Sequence, residues 1–329
     1  MISTNTLEGT SIAILLSTFD GDAYLEEQIE SIRSQSHQNW TLYVRDDGST
    51  DGTIAIVEAA IGDSRIRFLQ LSPSQHLGLV GSFGSLLSTA IDQSADYLFF
   101  CDQDDVWLPD KLERQLSYFE PGDVPQLVYS DTKLVDDCLR PLPGRAAFQA
   151  DRKIGSAAVE LFFTQNSIPG CAMAINAPLA RLALPIPETA IMHDWWIALV
   201  ASAVGDVTYI EEQLMLYRQH SKNSIGASSI GGLLANPARW PALWKQGNSE
   251  LILSVKQAET LLERLGGESA MAGSIPEALI KYAQILGSSR LSRLKIAWRI
   301  GLRKGKPLQQ LVLYARLIAM SGLDVHPDK

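Results

Sequence analysis

Short apolar runs that each end in polar residues are the feature that most restricts how this chain can fold. Such runs occur at 12–16 and 97–101, an alternating strand pattern lies at 40–44, and a further strand is predicted at 66–71. Helical patterns lie between these strands at 22–35, 53–60 and 81–93. Strand and helix signals that alternate at this spacing predict an α/β fold with a parallel, doubly wound sheet and right-handed crossovers. Further strands are expected at 127–130 and 207–210, a turn that leads into a strand at 168–175, and an apolar helix at 195–204.

Polar side chains follow three of these predicted strands at the point where each strand ends. Thr18 and Asp20 follow the first strand, Asp46 and Asp47 follow the second, and Asp102-Gln103-Asp104-Asp105 follows the fourth. Ligands of open parallel sheets bind outside the carboxyl ends of the strands. We therefore expect these three groups to converge on one binding site.

The composition restricts the partners and the compartment. With 37 acidic and 28 basic residues the formal net charge is −9, which argues against a general nucleic-acid binder, because neutralising phosphates needs a basic surface. The three cysteines form no CxxC pair, so we interpret them as reduced, mostly buried thiols of a cytoplasmic protein. The polar N-terminus and the lack of an apolar run of about 18 residues predict neither a signal peptide nor a membrane span. Any membrane contact is then peripheral.

The acidic group at 102–105 is the candidate metal site. A diphosphate leaving group needs its charge neutralised, and a divalent cation such as Mg²⁺ or Mn²⁺ held by one or two carboxylates supplies that. Two other interpretations stay open at this point. An acidic turn before a helix N-terminus has the same composition. Residues 99–106 also fit the hhhhDxDxV signature of haloacid-dehalogenase-type phosphatases, although those proteins normally carry it on their first strand.

Three further residues are candidates for binding or catalysis. Asp47 lies at a strand end, where a carboxylate can accept a hydrogen bond from the N3–H of a pyrimidine, although a turn and helix cap explains it equally well. Asp194 stands between His193 and two tryptophans, and such a poorly hydrated setting would raise the pKa of a carboxylate toward that of a useful general base. An N-cap role is the simpler alternative for Asp194, as a structural role is for His220.

Four segments together resemble the family 2 glycosyltransferases, which have the GT-A fold. They are Ser17-Thr18-Phe19-Asp20-Gly21, the helical pattern from Tyr24 to Gln35, the segment from Val44 to Thr53, and the block from Asp102 to Leu112. These segments match the family's S-T-Y-N-G opening, the helix that follows it, the V-D-D-G-S-x-D-G-T segment and the D-x-D-D-x-W-x-P-x-K-L block. The resemblance covers residues 1–225 and implies a Rossmann-like, mostly parallel sheet flanked by helices.

The resemblance implies a donor-binding role for five of the matching positions. Thr18 and Asp20 would line the nucleotide pocket, and Asp47 would contact the pyrimidine. Asp104 would be the principal ligand of a divalent metal ion, with Asp102 near the ribose or the metal. The cofactor implied is Mg²⁺ or Mn²⁺.

For the reaction, the resemblance implies an enzyme that transfers a sugar from a nucleotide diphosphate to a saccharide hydroxyl with inversion. Asp194 would deprotonate the acceptor hydroxyl. The family usually has Glu-Asp at this position and this chain has His193-Asp194, so the assignment of the base depends on the aspartate alone. A degenerate transferase that only binds saccharides or takes part in assembly is the non-catalytic alternative, and the intact Asp47, Asp104 and Asp194 argue against it.

The second half of the match resembles a rhamnosyltransferase-type branch. It consists of Gly170-Cys171-x-Met173-Ala174, His193-Asp194-Trp195-Trp196 and the segment from Tyr217 to Gly226. This branch implies a dTDP-L-rhamnose donor, within the wider class of dTDP- and UDP-sugars, and an acceptor in O-antigen or another bacterial surface polysaccharide. Arg218 and His220 would then reach the donor diphosphate or close over it.

The rest of the chain differs in charge and pattern. Residues 1–225 are expected to form the catalytic domain, and residues 226–329 a helical C-terminal region. Between residues 281 and 323 there are nine basic residues and no acidic one. Two compatible interpretations are an interfacial helix on an anionic leaflet, where a lipid-linked acceptor would lie, and a helical hairpin packed on the catalytic domain. The protein is accordingly expected in the cytoplasm or at the inner face of the cell membrane.

Overall fold

The computed structural model describes residues 9–69, 76–143, 159–220, 240–267, 275–304 and 307–320. Within these residues, eight strands form one sheet: β1 (Ile12–Thr18), β2 (Thr41–Asp46), β3 (Ile66–Phe68), β4 (Tyr97–Cys101), β5 (Val106–Trp107), β6 (Gln126–Val135), β7 (Met173–Asn176) and β8 (Asp206–Arg218). The strand order across the sheet is β3-β2-β1-β4-β7-β6-β8-β5. The predicted α/β fold, a sheet flanked by helices, is confirmed.

The helices of the described residues fall into two groups along the chain. The first group is α1 (Leu25–Arg33), α2 (Thr53–Ala60), α3 (Gly78–Asp92), α4 (Lys111–Leu116), α5 (Val159–Phe162), α6 (Ala177–Ala183) and α7 (His193–Val204). The C-terminal group is α8 (Trp240–Gly267), α9 (Glu277–Ala283), α10 (Arg290–Arg299) and α11 (Pro307–Ala319). The largest differences from the predicted elements are in β6 and β8, which run on to Val135 and Arg218.

The direction of the strands differs from the expected parallel sheet. Strand β1 is parallel to β2 and to β4, and β2 is parallel to β3, as expected for βαβ units. Strand β7, however, is antiparallel to both of its neighbours, β4 and β6, and β5 is antiparallel to β8. The sheet is mixed, so the prediction is right for β1 to β4 and wrong where β7 and β5 pair. An apolar run shows that a strand is buried, but it carries no sign of the strand's direction.

Both faces of the sheet are buried, which explains the apolar strands. In β1, Ile12, Ile14 and Leu16 belong to one apolar cluster, whereas Ala13 and Leu15 belong to another, as alternation along a strand requires. Helices α1, α2 and α4 supply side chains to the first cluster, and α3, α6 and α7 supply them to the second. Removal of apolar surface from water on both faces is therefore the main force that holds the sheet in place.

The C-terminal helices extend the second of these clusters. Leu251, Val255 and Leu261 of α8 are buried and belong to the same apolar cluster as side chains of α3 and α7. Arg264 of α8 donates hydrogen bonds to the carbonyl groups of residues 182–185, which fastens α8 to the segment after α6. The helical region and the sheet thus share one core. The expected boundary between residues 225 and 226 lies outside the described residues.

Two further expectations concern the membrane and the cysteines. In the part of the chain that the structure describes, no helix combines the length and the apolar character needed to cross a membrane. Cys101 and Cys171 are buried free thiols, as expected, whereas Cys138 is exposed.

Candidate active site

The loops after β1 and β2 are joined by hydrogen bonds at one side of the site. Thr18 Oγ1 donates to Asp46 Oδ1 at 2.9 Å, which links the two strand ends. Asp20 N–H donates to Ser49 Oγ at 2.9 Å, and Thr50 N–H donates to Asp20 Oδ1 at 2.8 Å. These bonds hold Asp20 at a φ of 44°, in the left-handed region that residues other than glycine rarely adopt. The structure thus brings Thr18 and Asp20 together, as the strand-end pattern predicted.

Gln103, inside the acidic group, joins the end of β4 to the end of β1. Phe19 N–H donates to Gln103 Oε1 at 2.8 Å, and Gln103 Nε2 donates back to Phe19 O at 2.9 Å. Gly21 makes room for this pairing, since an added Cβ at Gly21 would overlap the Gln103 amide. The sequence reasoning missed Gln103, because a position between two aspartates has no periodic or compositional signal. The glycine in the Ser17–Gly21 segment was the available hint.

Asp47 is buried beneath these loops and holds the N-terminus of α3. Its carboxylate accepts hydrogen bonds from Leu77 N–H at 2.8 Å and Gly78 N–H at 2.9 Å, and it pairs with Arg45 at 2.6 Å. Burial opposes ionisation of Asp47, but the hydrogen bonds from Arg45 and Leu77 outweigh it, so its pKa is lowered. Arg45 is itself fully buried and also donates to Ser82 of α3. Asp47 therefore fixes the start of α3 relative to the end of β2, and its contact with a pyrimidine stays a prediction.

The three aspartates after β4 differ in environment. Asp104 lies closest to His220, with 2.8 Å between Asp104 Oδ2 and His220 Nε2. Asp102 is half-buried, and burial together with the charges of Asp104 and Asp194 raises its pKa to about 7. Asp105 is fully buried, and burial together with the charges of Asp104 and Asp102 raises its pKa well above its ordinary value. A concentration of carboxylates this dense favours a bound cation.

Arg218, the last residue of β8, holds the loop of residues 102–105, the acidic loop, in place. Its backbone N–H donates to Asp105 Oδ1 at 3.0 Å, and its Nε donates to Asp104 O at 2.8 Å. Its two terminal nitrogens donate to Asp137 O at 2.6 Å and to the carboxylate of Glu27 in α1. The Arg218 side chain is buried, and its guanidinium binds protein groups that hold the acidic loop in place. Contact of Arg218 with a diphosphate stays a prediction.

Asp194 lies in the first turn of α7, close to the acidic loop. Gly170 N–H donates to Asp194 Oδ2 at 3.0 Å, and Trp195 N–H donates to Asp194 Oδ1 at 2.7 Å. The charge of Asp194 contributes to the raised pKa of Asp102, so the two carboxylates interact electrostatically. Two backbone N–H groups thus fix the direction of the carboxylate that the resemblance assigns as the base. Gly170 was not among the predicted site residues.

His193, which precedes Asp194, packs in the apolar core. Its ring stacks on Phe83 with 3.9 Å between the ring centroids and lies 5.6 Å from the ring of Phe100. Burial lowers the pKa of His193 to about 4, so the ring is neutral at pH 7. Among the described residues, neither ring nitrogen has a hydrogen-bond partner. Nothing in this environment gives His193 a role as the base.

The donor groups at the end of β4 fit a hard divalent cation. Asp102 and Asp104 offer carboxylate oxygens, which suit Mn²⁺ and Mg²⁺, and the imidazole of His220 lies 2.8 Å from the Asp104 carboxylate. A second group brings ligand atoms of Asp102, Asp105 and Cys171 within 4.8 Å of one another. Burial and the charges of these two aspartates, however, raise the pKa of the Cys171 thiol well above its ordinary value. A thiol also suits softer metals than Mg²⁺ or Mn²⁺, so the carboxylates of Asp102 and Asp104 are the better ligands for a hard cation.

Comparison with known proteins agrees with this arrangement. Residues 13–141 match the family described as glycosyl transferase family 2. The dTDP-rhamnosyl transferase RfbG of Shigella flexneri is 26% identical over 223 residues, which cover 65% of this chain and 74% of that protein. The resemblance to family 2 glycosyltransferases is thereby confirmed, over residues 13–141 by the family match and over 223 residues by this relative. Several other curated relatives of the transferase match over only 18% to 47% of their own length.

Two solved structures share the fold of the transferase over nearly its whole length. The structure of Staphylococcus aureus TarS 1–349 in complex with UDP-GlcNAc has a TM-score of 0.56 and 14% identity, and the match covers 94% of this chain and 88% of that one. Mannosyltransferase PcManGT from Pyrobaculum calidifontis, in complex with GDP-Man and Mn²⁺, has a TM-score of 0.53 and 15% identity, with coverage of 97% and 88%. The expected GT-A fold is confirmed.

The match to a glycosyltransferase family decides between the alternatives that the sequence left open. The transferase is an enzyme of nucleotide-sugar transfer in polysaccharide biosynthesis. The haloacid-dehalogenase-type phosphatase and the non-catalytic binding subunit are thereby set aside. Of the predicted rhamnosyltransferase-type segment from Tyr217 to Gly226, residues 221–226 lie outside the described residues.

Proposed function

We propose that this transferase moves a sugar from a nucleoside diphosphate sugar to a hydroxyl group of a saccharide, with inversion at the transferred carbon. The observation that carries the proposal is that Asp102 interacts electrostatically with both Asp104 and Asp194 at the carboxyl edge of the sheet, where His220 Nε2 lies 2.8 Å from Asp104 Oδ2. A cation site and a fixed carboxylate then lie beside each other, next to the loops of Thr18 and Asp20. Such a site offers a place for the donor diphosphate and a base for the acceptor.

The chemical step depends on Asp194. Its carboxylate accepts the proton of the acceptor hydroxyl while the hydroxyl oxygen forms a bond to the anomeric carbon of the donor sugar. The bond from that carbon to the diphosphate oxygen breaks, and the nucleoside diphosphate leaves with the electron pair. The N–H groups of Gly170 and Trp195 hold the carboxylate in one direction, which reduces the entropy lost in reaching the transition state.

Asp104, with Asp102, would hold the divalent cation. When bound, the cation neutralises the charge of the leaving diphosphate. The Mn²⁺ in the solved mannosyltransferase supports this proposal at the level of the fold. The three aspartates would otherwise repel a diphosphate, so donor binding is expected to depend on the cation.

As donor we propose a dTDP-sugar, and within that class dTDP-L-rhamnose. The support is the similarity to a dTDP-rhamnosyl transferase over 74% of its length. Thr18 and Asp20 would line the nucleotide pocket. Asp47 would contact the pyrimidine, for which its carboxylate would have to share the hydrogen bonds it now makes with α3. Arg218 and His220 would lie near the diphosphate.

As acceptor we propose a saccharide of a bacterial surface polysaccharide that is carried on a lipid. An enzyme with such an acceptor would work in the cytoplasm, at the inner face of the cell membrane. In this proposal residues 1–225 form the catalytic domain and residues 226–329 an accessory helical region.

Paired substitutions separate donor binding from chemistry. Asp104→Asn is expected to abolish Mn²⁺-dependent binding of dTDP, measured by isothermal titration calorimetry, and to lower turnover at least about 10²-fold. Asp194→Asn is expected to keep dTDP binding and to lower turnover about 10²- to 10⁴-fold. Asp123→Asn, at an exposed acid, is the matched control. Unchanged turnover in Asp194→Asn would show that another group is the base.

The donor and the stereochemistry have separate tests. A thermal-shift panel of dTDP-, UDP- and GDP-sugars, with and without Mn²⁺, identifies the donor, because a ligand of the folded state raises its stability. The largest shift is expected with dTDP-L-rhamnose. A larger shift with a UDP- or GDP-sugar would contradict the donor proposal and leave sugar transfer intact. Retention of the anomeric configuration, seen by NMR of the product, would contradict the single displacement.

A further inference from the structure

Helices α10 and α11 expose large apolar side chains on their outer faces. In α10, Leu291 is 74% exposed and Trp298 is 81% exposed, and their spacing of seven residues puts them on one side of the helix. In α11, Leu308, Leu311 and Ile318 are exposed along one side. Scattered exposed apolar residues are ordinary, but five large ones on two neighbouring helices are not.

The two helices that carry this exposed face are themselves packed firmly on the protein. The buried Arg293 of α10 donates hydrogen bonds to the carbonyl groups of Leu317 and Met320 at the end of α11. Leu313 and Leu317, on the inner side of α11, are buried in the main core. The inner side of each helix is therefore fixed, and the outer apolar side is held toward solvent.

A third helix continues the same region. Trp240 and Trp244, in the first turns of α8, are exposed. The guanidinium of Arg316 in α11 lies 5.4 Å from the ring centroid of Trp244 and donates to Leu243 O at 3.1 Å. Tryptophan rings have an apolar body and a polar N–H, a combination suited to the boundary between water and lipid.

The charged residues of α10, α11 and the segment between them carry a single sign. Arg290, Lys295, Arg299 and Arg303 are exposed on or directly after α10, and residues 281–323 contain no acidic residue. The chain as a whole has a net charge of −9, so this region is positively charged although the protein overall is negative. Exposed bases around exposed tryptophan and leucine side chains match the polar and apolar layers of an anionic leaflet.

We propose that α10 and α11 form a lipid-docking face that lies on an anionic phospholipid leaflet. The apolar part of this face is Leu291, Trp298, Leu308, Leu311 and Ile318, and its basic part is Arg290, Lys295, Arg299 and Arg303. Its apolar side chains enter the headgroup boundary, and its bases bind lipid phosphates. A second copy of the chain is a poorer occupant, because pairing two such faces would bring like charges together.

The lipid-docking face is connected to the segment that positions the proposed base. Lys304, just after α10, donates a hydrogen bond to Thr164 O, and Thr164 Oγ1 donates to Arg303 O at 3.3 Å. Tyr282 of α9 donates to Phe163 O at 3.1 Å. The segment that begins at these residues leads to Gly170, whose N–H holds Asp194. Docking would thus keep the acceptor side of the site near the leaflet, an advantage that rests on the proposed lipid-linked acceptor.

The test measures binding of the full chain to sedimented vesicles of phosphatidylcholine alone and of phosphatidylcholine with phosphatidylglycerol. Binding is expected only with phosphatidylglycerol, and it should weaken at high salt. Trp298→Ser with Leu311→Ser, and separately Lys295→Gln with Arg299→Gln, should each weaken the partition coefficient about tenfold or more. The matched controls are Ile61→Ser with Val124→Ser, and Arg67→Gln with Lys133→Gln, all at exposed positions of the sheet region. Unchanged circular dichroism would show that the variants fold.

Three outcomes would overturn the proposal. They are no binding to either vesicle, equal loss in the controls, and a dimer in light scattering that the Trp298 and Leu311 variant converts to a monomer. Turnover with a water-soluble acceptor is a separate readout, which the docking variants should leave unchanged. Vesicle binding without any sugar transfer would contradict the proposed function and leave the lipid-docking face intact.

Discussion

The carboxyl edge of the sheet and the lipid-docking face depart from the ordinary distribution of side chains in opposite ways. At the carboxyl edge, charged side chains such as Arg45, Asp105 and Arg218 are buried. The C-terminal helices carry nine of the seventeen large apolar side chains that are exposed in the described residues, although these helices are the shorter part of the chain. Burying charge and exposing large apolar groups both oppose folding, so each region is better explained by what it binds than by stability.

The two regions also differ in how their side chains are held. At the carboxyl edge, buried charged side chains form hydrogen bonds with other segments of the chain, as Arg218 does with the backbone at Asp104 and Asp137 and Arg45 does with the side chain of Ser82. On the lipid-docking face, the side chains point to solvent, and only the helices that carry them are fixed by hydrogen bonds and burial. Precision is needed where bonds break, whereas a fluid leaflet needs only a surface of the right polarity and charge.

Replacing Arg218 is expected to have the largest effect of any change outside the aspartates. Arg218→Ala removes the donors that fasten the acidic loop and leaves buried acceptors without partners, so it should destabilise the fold by about 3–5 kcal/mol. Turnover should fall about 10²-fold or more in the fraction that stays folded, because a shift of about 1 Å in the loop is enough. Urea denaturation and initial rates measure the two effects.

Two further variants show whether Arg218 acts by positioning. Arg181→Ala, at an exposed arginine of α6, is the control and should change neither quantity. Glu27→Gln keeps a hydrogen-bond acceptor for Arg218 and should have a much smaller effect on turnover. If Arg218→Ala raised the KM for the donor and left kcat unchanged, direct binding of the diphosphate would explain Arg218 better than positioning.

A smaller effect is expected at Gly21, where the carboxyl edge has no room for a side chain. In Gly21→Ala the new methyl group would displace the Gln103 amide and break both of its hydrogen bonds to Phe19. Donor binding should weaken about tenfold, in line with about 1.4 kcal/mol for lost hydrogen bonds. Titration calorimetry with dTDP and Mn²⁺ measures this change.

The Gly21 prediction has an internal check. In the presence of Gln103→Ala, adding Gly21→Ala should have little further effect, since the overlap is gone. Gly267→Ala, where an added Cβ meets no atom within 4 Å, is the control. Additive effects of Gly21→Ala and Gln103→Ala would mean that the two residues act independently.

His193 makes the stability of the protein depend on pH. Its pKa is about 4 in the folded state and about 6.5 in an unfolded chain. At a pH between these two values the unfolded state therefore binds a proton more readily than the folded state. The stability is therefore full above about pH 6.5 and falls as the pH drops toward 4, by up to about 3 kcal/mol. Urea denaturation at pH 7 and pH 4.5 should show a larger loss for the unaltered protein than for His193→Leu. An equal loss in both, with His37→Gln as the control, would contradict this.

The strand-end residues of the site could be predicted, because the physics that places them is local. Thr18, Asp20, Asp102 and Asp104 follow apolar strands, and the carboxyl ends of parallel strands meet at one edge. Asp194 was a candidate base from its poorly hydrated setting alone, but its place beside the strand ends required the family resemblance, since α7 is far from these strands in sequence. The hydrogen bonds of Arg218 could not be predicted, because its partners are about 80 to 190 residues away and leave no trace in local periodicity.

The antiparallel strand β7 was missed for a related reason. Its direction depends on how the chain returns from β6, and the apolar residues of the strand are the same for either direction. The exposed face of α10 and α11 could be predicted only in part. The basic residues were visible in the sequence, but an apolar stripe there fits burial as well as exposure.

The smallest effect is expected at Leu311, and its neighbour Leu313 supplies the contrast. Leu311 is 65% exposed and Leu313 is 4% exposed on the same helix. Leu313→Ala should destabilise the protein by about 2–5 kcal/mol because it leaves a cavity, whereas Leu311→Ala should change the free energy of unfolding by less than about 0.5 kcal/mol. Urea denaturation without lipid compares the two. A large loss in Leu311→Ala would mean that this side chain already packs against protein in solution, and the lipid-docking face would then have to be redrawn without α11.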